Sequence, residues 1–180
     1  ELRGAALFAA ARHYGAAEAL LTDPQERDRV AALQLAAARQ ARRSNAYGVA
    51  RGMLDRGLAL AERPELRRDL QTERGVCACL LGDRAEAAGW FEQALSASPD
   101  PLDRADIRAE WLQSLLNEGD HRGAVDLGAA CLADLGRPMP RGRDAAVEAG
   151  GAMLQEVLAA LGPKGAASVL DLPPMTDRRS

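Results

Sequence analysis

Few residues of this 180-residue chain are of a type that does chemistry, and their spacing decides what each can do. Cys77 and Cys79 stand two apart within a helical pattern, so their side chains point to different faces. A reactive thiol needs a helix N-terminus or an adjacent cation to lower its pKa, and these two fall near the C-terminal end of a helix. They read as small core or groove residues. With Cys131 the thiols are odd in number, which argues against a disulfide framework. His13 and His121 are far apart, with no His-Glu-x-x-His pattern and no paired Cys-x-x-Cys ligands beside them. His13 reads as a partly buried helix residue and His121 as a solvated first-turn residue. The single lysine, Lys164, lies in Gly162-Pro163-Lys164-Gly165, which lacks both the preceding strand and the Lys-Ser or Lys-Thr of a phosphate-binding loop. Glu86 with Glu92, and Asp100 with Asp103, sit on helix surfaces or turns, with no apolar pocket in evidence to raise one pKa for acid–base work. The sequence therefore predicts no catalytic residue, no cofactor and no metal site in this chain.

The composition points to scaffolding. The chain is 47% hydrophobic and 27% charged, which excludes a disordered polymer, and its longest apolar stretches are too short to span a membrane. Ala and Leu supply 38 and 26 residues, against 3% aromatics and few β-branched residues, so the expected class is all-α. A formal charge of −3 and a pI near 5.5 argue against a general nucleic-acid binder, which needs a basic surface to displace phosphate counterions. No signal segment opens the chain, so the expected compartment is the cytoplasm. The first residue is Glu1 and not Met, which suggests a segment of a longer polypeptide.

Apolar spacing and breakers then lay out the elements. Leu7, Ala10, Ala11, Tyr14, Ala17 and Leu21 recur three or four apart over 3–21, a leading amphipathic helix. Asp23 followed by Pro24 is an N-cap and first helical position, opening a second helix to about Arg43. Ser44-Asn45 separates it from a third over about 46–62, and Pro64 opens a fourth to Leu81. Gly82-Asp83 turns the chain into a fifth helix, 84–97. Pro101 opens a sixth that stops before Gly119-Asp120, where a seventh begins. The breaker-rich loop 136–143 precedes an eighth carrying Ala145, Val147, Ala149, Met153, Val157 and Leu161; Ala166 to Leu170 suggests a short helix before an extended tail.

Self-comparison gives a period of 37. Asn45, Gly82 and Gly119 fall at equivalent turn positions, as do Ala50, Ala87 and Ala124; Leu54, Phe91 and Gly128; and Gly57, Ala94 and Cys131. Each unit is a helical hairpin that cannot bury its apolar face alone, so successive copies are expected to stack. The expected layout is one helical-repeat domain over 1–180, with a leading helix (1–24), repeats at 25–62, 63–99 and 100–136, a partial fourth at 143–171 and a tail at 172–180.

The run from Gly82 to Leu95, closed by Pro99, resembles the second half of a tetratricopeptide repeat. The resemblance implies a right-handed solenoid of about seven or eight helices. Ala50, Ala87, Ala94, Ala124 and Cys131 would be its close-approach residues, Leu54 and Phe91 the gap-fillers, and Trp111 part of the core between hairpins. The longer period, with 21–28, 41–47, 133–136 and 170–177, resembles the helical-repeat region of large bacterial signalling proteins. Those proteins join a serine/threonine-kinase-like domain, a signal-transduction ATPase and often a sensor histidine kinase. The implied function is a non-catalytic protein-interaction and regulatory region, whose partner is a protein or peptide or a flanking domain, with neither nucleic acid nor membrane. A stand-alone peptide-binding adaptor and the effector-sensing repeats of an ATPase-type transcription activator are the alternatives.

The usual ligand face of such arrays is the inner surface of the first helices of the hairpins. Alignment by 37 relates Arg39, Val76 and Gln113, then Arg42, Cys79 and Leu116, then Arg43, Leu80 and Asn117. This would make a groove with a basic end and an apolar, amide-bearing end, suited to a peptide with one acidic portion. The alternative is that the three arginines complement a helix C-terminal dipole in water. Trp90, beside Phe91, faces a different side of its helix and reads as packing against a neighbour. Exposed terminal helices could also drive dimerisation of the chain.

Overall fold

A computed structural model describes residues 4–16, 20–140, 142–163 and 165. Ala17, Lys164, the expected helix at 166–170 and the tail at 172–180 lie outside the described residues. Those described form eight helices and no strand: α1 (Ala5–Ala16), α2 (Pro24–Arg43), α3 (Tyr47–Leu60), α4 (Pro64–Leu80), α5 (Arg84–Ser96), α6 (Pro101–Asn117), α7 (His121–Asp134) and α8 (Arg143–Leu161). They belong to two compact units, Glu1–Gly128 and Ala129–Ser180.

Local chemistry sets the helix ends in the first unit. Asp23, Asp83, Asp100 and Asp120 each accept from backbone N–H groups of the following turn, and Pro24, Pro64 and Pro101 start their helices. Three closures are alike. Asn45, Gly82 and Gly119, 37 apart, have φ of 59°, 83° and 78°. In each case the next residue donates back across the turn, Ala46 to Ala41, Asp83 to Ala78 and Asp120 to Leu115, at 2.9–3.0 Å. This is the left-handed closure that satisfies helix-end carbonyls. The third helix stops at Leu60, earlier than the pattern to 62 suggests: Ala61 is already extended, with φ −64° and ψ 121°, and Arg63, before Pro64, is extended too, with φ −72° and ψ 131°.

Each helix of α1–α6 packs on the next, except that α4 and α2, and α6 and α4, also touch. The contacts match like ends. Asp28 near the start of α2 reaches the start of α4, and Arg68 near the start of α4 hydrogen-bonds Asp103 near the start of α6. One core joins α1 to α4 around Leu54, Leu60 and Leu70, all fully buried. A second lies around Phe91, Ala87, Ala94, Val76 and Ile107. Phe91 stacks on Trp111 of α6, with centroids 5.2 Å apart and planes 10° apart, and its other side meets α4 at Gly75. Trp111 is half-buried, as an inter-helix filler should be. Gln34 and Gln71, again 37 apart, are both buried; Gln34 donates to the Ala11 carbonyl at 2.7 Å and so ties α2 to α1.

Polar burial is self-compensated. Arg63 cannot cap α4 with its own side chain, and Asp28 does so from α2, accepting from the N–H groups of Glu62 (2.8 Å) and Arg63 (3.2 Å). Burial alone would raise the Asp28 pKa, but those two bonds and the Arg63 guanidinium outweigh it and hold the carboxyl below its ordinary 3.8. Arg74, 5% exposed, donates to Asp55 at 2.7 Å and to Glu86 at 2.6 Å and lies over the Trp90 ring at 5.4 Å. Trp90 thus packs on Arg74 of α4 from α5. His13 is exposed, against the expectation of partial burial, because the buried face of α1 is the Leu7 and Ala11 side.

In the second unit, α8 has no buried residue, and Val147, Met153, Leu154, Val157 and Leu158 are exposed along it.

Two outcomes follow from this packing. A Cβ at Gly75 would stand 2.9 Å from the Phe91 ring, whereas one at Gly52 would meet nothing within 4 Å. Gly75→Ala should therefore lower stability by about 1–3 kcal/mol through overpacking, and Gly52→Ala should raise it by up to about 1 kcal/mol through helix propensity, both read by urea denaturation. For Asp28, a depressed native pKa means that its contribution is complete above pH about 4 and fades as pH falls through the native value. The melting temperature of Asp28→Asn should accordingly lie below that of the unsubstituted chain at pH 7, with the gap closing as the pH is taken below 3.8.

Candidate functional site

The helical spacing 110, 113/114, 117/118 puts one face of α6 opposite residues 76, 79 and 80 of α4. Between them is a groove of about 290 Å³, lined by Arg42 from α2, Val76, Cys79 and Leu80 from α4, and Glu110, Gln113, Ser114, Asn117 and Glu118 from α6. Of the residues expected on the inner face, the structure brings together Arg42, Val76, Cys79, Leu80, Gln113 and Asn117. Arg39, Arg43 and Leu116 are outside the lining, Arg43 and Leu116 being exposed. The sequence comparison missed Glu110, Ser114 and Glu118. The α6 spacing would have found all three, since Glu110 lies three residues before Gln113, Ser114 three before Asn117 and Glu118 four after Ser114.

The electrostatics differ from a basic cleft. Glu73 of α4, 8% exposed, hydrogen-bonds Arg39 Nε (2.8 Å) and forms an ion pair with Arg42 Nε (3.1 Å), so one carboxylate engages two of the three arginines and neutralises one of their charges. Neither arginine is simply solvated at a helix end. At the other side Glu118 forms an ion pair through Oε2 with Arg84 Nε at 2.6 Å, while both its carboxylate oxygens are buried without a hydrogen-bond partner. The most accessible polar pair is Gln113 with Asn117, both exposed, the Gln113 amide donating to Asn117 Oδ1 at 3.1 Å.

The thiols sit beside this charge network. Burial first, then the Glu118 carboxylate, pushes Cys79 up to about 11, against a hydrogen bond from Ser114 that lowers it. Cys77 is buried; desolvation and Glu73 push it to about 11 as well. Neither is a thiolate nucleophile at neutral pH. Among the described residues no group of three His, Cys, Asp or Glu is placed to hold a metal ion, and no helix is long and apolar enough to cross a membrane.

The expected repeat-packing residues fall as follows. Ala50, Leu54, Ala87, Phe91, Ala94 and Ala124 are buried, and Trp111 and Cys131 are half-buried. Gly128, at the position of Leu54 and Phe91, has only Leu112 within reach of a Cβ, at 3.4 Å. No family model matches the chain, and neither a curated protein nor a solved structure does.

The raised thiol pKa values give a direct check. At pH 7.5 a thiol of pKa near 11 is less than about one part in a thousand ionised, so Cys77 and Cys79 should alkylate far more slowly in the native than in the denatured chain, with Cys77 slower by at least about a hundredfold. Timed iodoacetamide labelling with peptide mapping resolves the sites. Rapid native labelling of Cys77 would contradict the buried, uncharged thiol.

Proposed function

We propose that the chain is a tetratricopeptide-like array of antiparallel hairpins, wound as a right-handed solenoid. It serves as a non-catalytic interaction and regulatory region of a cytoplasmic, multidomain signalling protein of the kinase and ATPase kind. The observation that carries this proposal is the recurrence at 37 residues of the same turn closure at Asn45, Gly82 and Gly119, together with like-ended contacts from α2 to α4 to α6. A chain built this way has nearest-neighbour stability and a continuous face of first helices, the architecture used to hold extended partners. The run from Gly82 to Leu95 adds the tetratricopeptide resemblance, and the soft matches elsewhere add the signalling lineage.

The groove between α4 and α6 is the contact face in this proposal. With Arg39 and Arg42 engaged by Glu73, charge is not its main recognition element. Gln113 and Asn117 offer amide donors and acceptors to a peptide backbone, while Val76 and Leu80 offer apolar surface to a side chain. A flanking domain of the same polypeptide or a separate protein would present such a segment. Its contacts would bias the partner between states by differential affinity.

Peptides selected from a displayed library against the intact chain test the face. Gln113→Ala or Asn117→Ala should weaken them by about fivefold to tenfold, the worth of one or two hydrogen bonds, with the melting temperature unchanged because both residues are exposed. Binding should also change little with moderate salt. Peptides indifferent to both substitutions would remove the groove from the proposal.

A further inference from the structure

A second cleft lies on a different part of the first unit. Helices α1 and α3 both pack on α2, and between them is a space of about 660 Å³, within the range of small-molecule sites. Phe8 and Met53 are set into it, Ala5 and Ala9 line the α1 side, and Gly48, Val49 and Gly52 line the α3 side. Val49 is 54% exposed, an apolar side chain left in water at the cleft. Among the described residues the only polar side chains in the lining are Arg12 and Arg56. Among the described residues neither makes an ion pair or a hydrogen bond, in contrast to Arg39, Arg42 and Arg74.

The two arginines share one end. The Arg56 side chain crosses to α1, where a Cβ on Gly15 would meet its Cδ at 3.4 Å and its Nη1 at 3.6 Å, and Arg12 lies one turn before Gly15. From Gly48 to Arg56 the cleft follows α3 for about 12 Å at the helical rise. It therefore has a cationic end and an apolar length. Gly48 and Gly52 sharpen this. Gly57 and Gly75 have neighbours that a Cβ would strike, Leu70 at 2.7 Å and Phe91 at 2.9 Å, whereas nothing lies within 4 Å of a Cβ at Gly48 or Gly52. Glycine lowers helix stability there with no intramolecular contact that needs it, and the effect is to keep the α3 wall low.

We propose that this cleft binds a medium-chain aliphatic carboxylate, with the carboxylate between the Arg12 and Arg56 guanidiniums and the chain along Gly48, Gly52 and Met53. A planar guanidinium fork matches a carboxylate, and among the described residues no acid lines the cleft to compensate that charge. The apolar length offers no partner to the backbone of an extended peptide or to a sugar and base, because it carries no hydroxyl, amide or carboxyl side chain. A head-and-tail amphiphile satisfies both ends. This site is independent of the groove between α4 and α6.

Octanoate, decanoate and dodecanoate, each below its micelle concentration, are titrated calorimetrically into the full chain. Affinity should tighten by roughly twofold to fourfold per added methylene. Arg12→Ala combined with Arg56→Ala should weaken decanoate by at least about tenfold, as loss of charge-assisted hydrogen bonds does. Gly52→Leu should abolish binding by filling the cleft while leaving the melting temperature at or above that of the unsubstituted chain, since no neighbour opposes the new side chain. Gly89→Ala, at another open helical glycine outside this cleft, should bind as the unsubstituted chain does. The inference is overturned if none of the three carboxylates binds saturably, if Gly52→Leu binds them undiminished, or if the uncharged methyl ester of decanoic acid binds as tightly as decanoate.

Discussion

Phe91 can lie flat on Trp111 because residue 75 has no side chain. The ring occupies the space where a Cβ on Gly75 would stand at 2.9 Å, so α5 sits close to α4 while its aromatic reaches α6. Close packing makes this an all-or-none arrangement: a methyl group at residue 75 displaces the ring, and a displaced ring loses its stacking partner. A second close approach joins α3 to α4, where a Cβ on Gly57, the equivalent of Ala94 and not of Gly75, would stand 2.7 Å from Leu70, one turn from fully buried Leu54. One period later the large residue is gone. Gly128 takes the place of Phe91, and Gly128 is also the last residue of the first compact unit. The wedge and the cooperative core end together.

Around that core, charges are buried in closed sets. Asp28 caps a helix that its own N-cap residue cannot serve, Arg74 is held by Asp55 and Glu86, and Glu73 gathers Arg39 and Arg42. Removing a single member would leave a charge without its partner, which costs more than the pair contributes. The arrangement also has a functional side. A guanidinium already held by Glu73 has less to offer a ligand, so the groove beside it is left with amides, apolar walls and the exposed Glu110 carboxylate as its free chemistry.

Much of this was legible from residue order, and the failures have a common physical origin. Proline and aspartate punctuation located α2, α4, α5 and α6, because caps and breakers act within a turn of the chain. The period of 37 found the three equivalent turns, since a positive φ at one position demands Asn or Gly. The groove was only half legible. Alignment by period pairs equivalent residues, Val76 with Gln113 and Cys79 with Leu116. Contacts between neighbouring first helices instead join residues 34 or 35 apart, as in Arg39 to Glu73, Asp28 to Arg63 and Arg68 to Asp103. That offset, two or three residues short of the period, is most of a helical turn. It puts Ser114 and not Leu116 beside Cys79, and Glu73 beside the arginines. Pairing of charges across helices is a tertiary fact that no local pattern carries.

Two clefts in one helical unit make opposite use of arginine, and the difference is in the neighbours. On α2 and α4, Arg39, Arg42 and Arg74 are each within reach of a carboxylate supplied by an adjacent helix, so their charge is absorbed by the fold. On α1 and α3, Arg12 and Arg56 line a space that holds no acid among the described residues, beside glycines whose open sides no described atom fills. If packing alone had shaped that surface, alanine at Gly48 and Gly52 would have given a more stable α3 with no steric conflict. The fold gains nothing from either glycine or from either unpaired charge. Open helical glycines also occur at Gly89, Gly150 and Gly151, so what sets Gly48 and Gly52 apart is their place in one cleft with two arginines that no described acid pairs.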